Sequence, residues 1–258
     1  LFGGVHSYVA ETLNYKGPSA NVDEAIDIST ITGATTLEID PFAADADADL
    51  DITTVTNIVG QTIVIDHATT GGAASSTTGT SVSLALKTAT GAADSIDITL
   101  KNTTTASELG VLTTAANIET VNITSSGGKA YQVASPVMTG AKTLNLLGAQ
   151  DLLLGTEIVT NLAASTATAN SVINASALTG KLTIGSAAVV GVEASSITLT
   201  GGSAADKFYF GATLNNNATS TVGDVIDGGD GSDTLFVTDN AGGAATQEAK
   251  SITNVEII

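Results

Sequence analysis

The chain has 258 residues, of which 43% are hydrophobic but only 3% aromatic and 13% charged, so the large side chains that fill a wide globular core are scarce. This composition favours a thin core of stacked aliphatic and β-branched side chains, and it is too apolar for a disordered chain. Eight Lys, no Arg and 26 acidic residues give a net charge of −18. A nucleic-acid role is excluded and an anionic membrane surface is disfavoured, because both need basic side chains.

Residues 1–30 are a lead-in segment, in which "VHSYVAETLNY" (5–15) has the best helical periodicity of the chain. The body at 31–200 alternates apolar and polar residues, which predicts short half-buried strands bounded by Gly, Asn, Ser and Thr. A helical turn or two is expected within this body at "TASELGVL" (105–112). The predicted strands are 36–40, 62–66, 81–86, 95–100, 119–124, 142–147, 181–185 and 196–200.

Several of the strand segments resemble one another. "TGATTLEI" (32–39) matches "TGAKTLNL" (139–146), and "ANIETVNI" (116–123) matches "TNVEII" (253–258). Similar strand-turn units that recur along a chain bury their faces on their neighbours. The sequence therefore predicts an all-β fold of stacked parallel strands, a β-solenoid or β-roll. The last unit stops within its strand, so the chain is expected to be a piece of a longer polypeptide.

An acidic run, "DPFAADADADLDI" (40–52), precedes the second predicted strand. An extended backbone would place Asp45, Asp47, Asp49 and Asp51 on one face, because strand side chains alternate between faces. Four neighbouring carboxylates repel one another, which favours a bound cation. A solvated acidic loop explains the same run equally well.

The segment 201–258 is rich in Gly and Asp and contains "GDVIDGGDGSDTLFV" (223–237). A Gly-rich turn before a strand can hold phosphate through backbone N–H groups and a Lys, but adjacent carboxylates would repel the phosphate. A hard cation with oxygen ligands fits the composition of this segment. The predicted ion is therefore calcium, with Asp-Gly turns that hold no ion as the alternative.

Residues 228–236, "GGDGSDTLF", match the calcium-binding nonapeptide G-G-x-G-x-D-x-U-x. In this pattern Gly permits a tight turn with carbonyl oxygens facing the ion, Asp233 supplies a carboxylate, and Leu235 anchors the strand inward. The nine-residue phase extends backwards to Asp224 with Ile226, and to Asp206 with Phe208. The candidate metal ligands are Gly201, Asp206, Asp224, Asp227, Gly228, Gly229, Asp230, Gly231 and Asp233.

These repeats resemble the repeats-in-toxin (RTX) family, whose parallel β-roll takes two nonapeptides per turn and holds an ion between loops one turn apart. The resemblance implies that Asp206 and Asp224, which are 18 residues apart, lie on the same side of the roll and share a calcium ion. It places Asp233 at a separate ion on the opposite side, completed either by Asn215 or by a turn beyond this chain.

Five motifs in order between about residues 90 and 240, from "ADSIDITLKN" to "IDGGDGSDTLFV", are similar to the calcium-dependent, RsaA-like bacterial surface-layer (S-layer) proteins exported by type I secretion. The resemblance implies an extracellular, self-assembling structural protein at the bacterial cell surface. Its implied partners are further copies of itself and calcium, with cell-surface polysaccharide as a further candidate. An RTX-type adhesin, or an extender module of a long surface fibre, is the alternative.

Catalytic signatures are scarce in this sequence. Two His and no Cys exclude the usual zinc ligand sets, and the H-E-x-x-H and G-x-S-x-G motifs are absent. A calcium-dependent polysaccharide lyase would need a basic residue as its base, and this chain has no Arg and scattered Lys. The sequence therefore predicts that the protein is not an enzyme. No apolar run reaches the length of about 18 residues that spans a bilayer, so no membrane span is predicted.

Overall fold

The computed structural model describes residues 11–16, 23–40, 50–66, 79–102, 107–155, 162, 169–185, 196–211, 214, 223–237 and 249–256. These residues form strands and turns, and no helix among them is long and apolar enough to cross a membrane. The strands, in chain order from β1 to β19, are Thr12–Lys16, Glu24–Asp27, Thr36–Asp40, Leu50–Ile58, Thr62–Asp66, Gly79–Leu86, Ser95–Asn102, Ser107–Thr114, Thr120–Gly127, Tyr131–Val137, Thr143–Gly148, Leu152–Leu154, Ser171–Leu178, Leu182–Ile184, Ile197–Thr200, Lys207–Gly211, Val225–Asp227, Thr234–Val237 and Ser251–Thr253.

The strands form two parallel sheets that the chain visits in turn. Sheet A contains the ten odd-numbered strands in sequence order, and sheet B contains the nine even-numbered strands. Each coil therefore contributes one strand to each sheet, and each strand pairs with the strand one coil earlier and one coil later. This architecture is a β-solenoid, as predicted. The strand pairing also continues across residues 30 and 200, the boundaries of the three segments defined from the sequence, through the pairs β1–β3 and β14–β16.

The core lies between the two sheets and consists of aliphatic side chains stacked in columns. In sheet A, one inward column runs through β7 to β17 as Ile96, Val121, Leu144, Ile173, Leu199 and Ile226, each at most 2% exposed. A parallel register stacks such residues directly on one another, so small side chains suffice to exclude water. All eight strands predicted from the alternation are present, with ends that differ by at most three residues.

The internal sequence matches correspond to one recurring corner that leads into sheet A. In three coils, two successive backbone N–H groups at this corner donate to one carbonyl of the preceding coil: Thr35 and Thr36 to Glu11 O, Glu119 and Thr120 to Asp94 O, and Lys142 and Thr143 to Glu119 O, at 2.8–3.1 Å. Two of these corners lie in the predicted matches "TGATTLEI" and "TGAKTLNL", and the third lies in "ANIETVNI". The similarity between the segments therefore reflects equivalent positions in successive coils.

Both helical predictions are wrong within the described residues. Residues 12–16 form β1, which pairs with β3 from Thr12↔Thr36 onward, and residues 107–114 form β8, which lies between β6 and β10. Their helix-like apolar spacing is overridden because neighbouring strands satisfy the backbone groups of an extended chain. The earlier part of the predicted first helix lies outside the described residues.

Candidate metal site

Two Gly-Asp turns stack on each other where the chain passes from sheet A to sheet B. The turn at 201–206 connects β15 to β16, and the turn at 228–233 connects β17 to β18. The register Lys207↔Thr234 places the second turn one coil, 27 residues, after the first. Backbone hydrogen bonds join the two turns, including Asp230 N–H to Gly202 O at 3.0 Å. We call this pair the Gly-Asp turn stack.

The predicted glycines allow these turns to approach each other closely. A Cβ atom on Gly201 would lie 1.9 Å from the carbonyl oxygen of Gly228, which no side chain can tolerate. Gly229 has φ +89°, and a Cβ there would lie 2.3 Å from Gly202 O. Gly231 lies in the same turn. The glycines thus have a packing role in the Gly-Asp turn stack, whether or not an ion binds.

Asp206 ends the first turn and is completely buried. Its Oδ1 atom accepts the backbone N–H of Leu182 at 2.7 Å, and its Oδ2 atom accepts that of Gly202 at 2.7 Å. Burial raises the pKa of this carboxyl group, while the two backbone N–H donors act in the opposite direction. Oδ1 therefore holds the turn to the preceding coil, and Oδ2 closes the turn itself.

Asp233 occupies the equivalent position in the second turn and is also completely buried. Its Oδ1 atom accepts the backbone N–H of Asp206 at 2.7 Å, but its Oδ2 atom accepts no hydrogen bond from any described residue. Burial, with the nearby negative charges of Asp206, Glu256 and Asp227, raises its pKa to about 6. An oxygen that is buried, charged near neutral pH and without a partner is expected to attract a cation.

Asp224 does not share a side of the solenoid with Asp206. It directly precedes β17 of sheet A, where its Oδ1 atom accepts the backbone N–H of Ile197 at 2.9 Å, whereas Asp206 directly precedes β16 of sheet B. The predicted 18-residue register is therefore wrong. One coil in this region spans 27 residues, the length of three nonapeptides, so Asp206 stacks with Asp233. The predicted partner Asn215 lies outside the described residues.

The remaining predicted acids have different environments. Asp227 Oδ1 accepts the backbone N–H of Gly229 at 3.2 Å and the side-chain N–H of Asn254 at 2.7 Å. The same hydrogen-bond pattern occurs at Asp27, at the end of a strand of sheet B, where Asp27 accepts Ser29 N–H and Asn57 Nδ2–H, both at 2.8 Å. Asp227 thus has a structural role that recurs elsewhere in the solenoid.

Asp230 lies in the second turn and is exposed. A substitution of Asp230 is therefore a suitable control for a substitution of the buried Asp233 in the same turn. In the acidic run, Asp45, Asp47 and Asp49 lie outside the described residues. Asp51 belongs to β4, and its side chain is likewise outside the described part.

Sequence reasoning missed one acid at this corner, Glu256. Its side chain accepts the backbone N–H of Asp233 at 2.5 Å, just as Glu119 accepts the backbone N–H of Asp94 at 3.0 Å in an earlier coil. The signal was present in the matched segments "NIET" and "NVEI", which align these two glutamates. Asp206, Asp233 and Glu256 thus form a column in which each carboxylate accepts an N–H from the preceding coil.

The described residues fit calcium only in part. Asp233 Oδ2 and nearby turn carbonyls are suitable oxygen ligands, but the described part of the chain contains no cluster of three His, Cys, Asp or Glu side chains that could hold a metal ion. Each oxygen of Asp206 already accepts one backbone N–H, which leaves it one lone pair for a cation. Comparison of the chain with protein-family models, with curated proteins and with solved structures gives no match.

Proposed function

We propose that this protein is a structural, self-assembling subunit of an extracellular bacterial surface layer or filament that calcium stabilises. The observation that supports the proposal best is the Gly-Asp turn stack, in which one oxygen of the buried Asp233 has no hydrogen-bond partner among the described residues. A divalent cation there would partly neutralise the three carboxyl groups of the Asp206–Asp233–Glu256 column and would link two successive coils. No catalytic activity is proposed.

The architecture is suited to such a scaffold. Two parallel sheets enclose a mostly aliphatic core, and each described strand pairs only with the strands one coil before and one coil after it, so the molecule is regular along its axis. A net charge of −18 destabilises such a packed array through self-repulsion, and bound calcium would reduce that repulsion. Extracellular calcium modules work with dissociation constants of about 10⁻⁴ to 10⁻³ M, which fits a partly satisfied ligand set.

The proposal is tested by electron microscopy and thermal unfolding of the purified chain with calcium or with a chelator. We expect sheets or filaments with calcium, and dispersed protein with a lower melting temperature after chelation. Asp233→Asn should abolish the calcium-dependent rise in melting temperature, whereas Asp230→Asn, an exposed change in the same turn, should preserve it.

Three results would contradict parts of the proposal. If the chelator changes neither assembly nor melting temperature, the calcium role fails. If both variants respond to calcium like the wild-type protein, the ion does not bind at Asp233. Isolated elongated monomers in calcium would refute self-assembly and support the adhesin or extender alternative.

A further inference from the structure

The outer face of sheet A carries a groove that the proposed function leaves unexplained. It has a volume of about 590 Å³, and its lining residues lie on four successive strands of sheet A, β7, β9, β11 and β13, with Thr62 of β5 at one end. One side is the Asx column, which consists of the register-matched residues Asp97, Asn122, Asn145 and Asn174. The other side is the flanking column, which consists of Thr99, Thr124, Leu147 and Ala177.

The amides of the Asx column are held in one orientation by hydrogen bonds between coils. Asn122 Nδ2–H donates to Asp97 Oδ1 at 2.7 Å, and Asn145 Nδ2–H donates to Asn122 Oδ1 at 2.7 Å. Asn174 Nδ2–H continues the column toward Asn145 Oδ1 at 3.5 Å. Because the side chains are already fixed, a ligand that binds them does not have to order them first.

We call these hydrogen bonds along the Asx column the ladder. The ladder leaves hydrogen-bonding capacity on each amide. A carboxamide has two N–H donors and an oxygen with two lone pairs, and the ladder uses one donor and one lone pair of Asn122 and of Asn145. Adjacent strands are about 4.8 Å apart, so a donor and an acceptor that no described residue occupies recur at about that spacing along the solenoid axis. This spacing is comparable to the length of one sugar residue in an extended polysaccharide.

The chemistry of the groove selects among linear ligands. The one charged side chain among its described lining residues is Asp97, and no Lys is among them. An anionic polymer would therefore be repelled by the groove and by the net charge of −18. Hydroxyl groups, which both donate and accept, match the free amide positions, and Leu147 with the threonine methyl groups can contact the C–H faces of sugar rings.

We propose that this groove binds a neutral polysaccharide chain that runs parallel to the solenoid axis, with about one sugar residue per coil. The Asx column supplies the hydrogen bonds, and the flanking column supplies the apolar contacts. The inference rests on the proposed extracellular function for the source of the polysaccharide, at the cell surface. Binding itself requires neither calcium nor assembly.

Binding is measured by isothermal titration calorimetry and NMR shifts, with chelator present, using neutral hexasaccharides of β-1,4-glucan, β-1,3-glucan and mannan. A hexamer of polygalacturonate serves as the anionic comparison. We expect at least one neutral hexasaccharide to bind about tenfold or more tightly than the anionic one. Asn145→Ala should weaken that binding about tenfold, since it removes the central amide and breaks the ladder.

Asn117→Ala is the matched control, because Asn117 also bridges two coils, through its side-chain N–H to Ala89 O at 2.8 Å, but lies outside the groove. Leu147→Glu, on the groove wall, provides a second variant if Asn145→Ala does not fold. The inference is overturned if no neutral hexasaccharide binds, if Asn117→Ala weakens binding as much as Asn145→Ala, or if the groove variants instead abolish association between copies of the chain. Because the chelator removes calcium-dependent assembly, failure here is distinct from failure of the proposed function.

Discussion

The buried carboxyl group of Asp233 should make the stability of the calcium-free protein depend on pH in a specific direction. Its pKa in the folded protein is raised from 3.8 to about 6, mainly by burial. The folded protein therefore holds this proton more tightly than the unfolded chain does. Consequently, the free energy of unfolding should decrease as the pH rises from about 4 to about 6, and this loss should be complete above that range.

The size of the effect follows from the shift. One pKa unit corresponds to about 1.4 kcal/mol, so the rise from 3.8 to about 6 sets an upper limit of about 3 kcal/mol. Screening by solvent near the turn should leave about half of this. Asp233→Asn isolates the contribution because the amide keeps an oxygen that can accept the Asp206 N–H but carries no charge.

Urea unfolding of both proteins in chelator between pH 4 and pH 8 tests this reasoning. We expect the two stability curves to lie closest near pH 4 and to separate by about 1 to 2 kcal/mol by pH 7, in favour of the variant. Acids that do not interact with Asp233 contribute equally to both curves and cancel in the difference. Parallel curves over the whole range would refute the assignment of a buried, destabilising charge to Asp233.

Two further predictions concern the packing of the turns and of the core. Gly201→Ala should lower the free energy of unfolding by about 3 kcal/mol or more, since the new Cβ would lie 1.9 Å from Gly228 O, whereas Gly128→Ala, with open space around it, should change it by less than about 1 kcal/mol. Equal effects in urea unfolding would show that the turns are not closely stacked. Tyr131→Phe should raise the free energy of unfolding by about 1 kcal/mol, because the buried Tyr131 hydroxyl has no partner among the described residues. A loss of stability by the same measurement would show that this hydroxyl is hydrogen-bonded.

The amino-acid alternation by itself determined the class of fold and the inward side of many strands. A polar residue on each side of an apolar one requires an extended chain with one buried face, which is why the eight predicted strands are present. The same local rule identified Phe208, Ile226 and Leu235 as inward anchors, and all three are completely buried. The Gly and Asp residues of the two turns were also recognised locally, since tight turns need Gly.

Only the tertiary structure determined which residues of successive coils stack on each other. The nine-residue phase is a local property, but the distance between stacked residues is the length of a whole coil, which includes its corners and its second strand. In this region the coil is 27 residues long, so Asp206 stacks on Asp233, while Asp224 lies before a strand of the other sheet. The segments at 12–16 and 107–114 likewise became strands because parallel neighbours were present to pair with them. Register and pairing depend on contacts between residues far apart in the chain, and local periodicity does not specify those contacts.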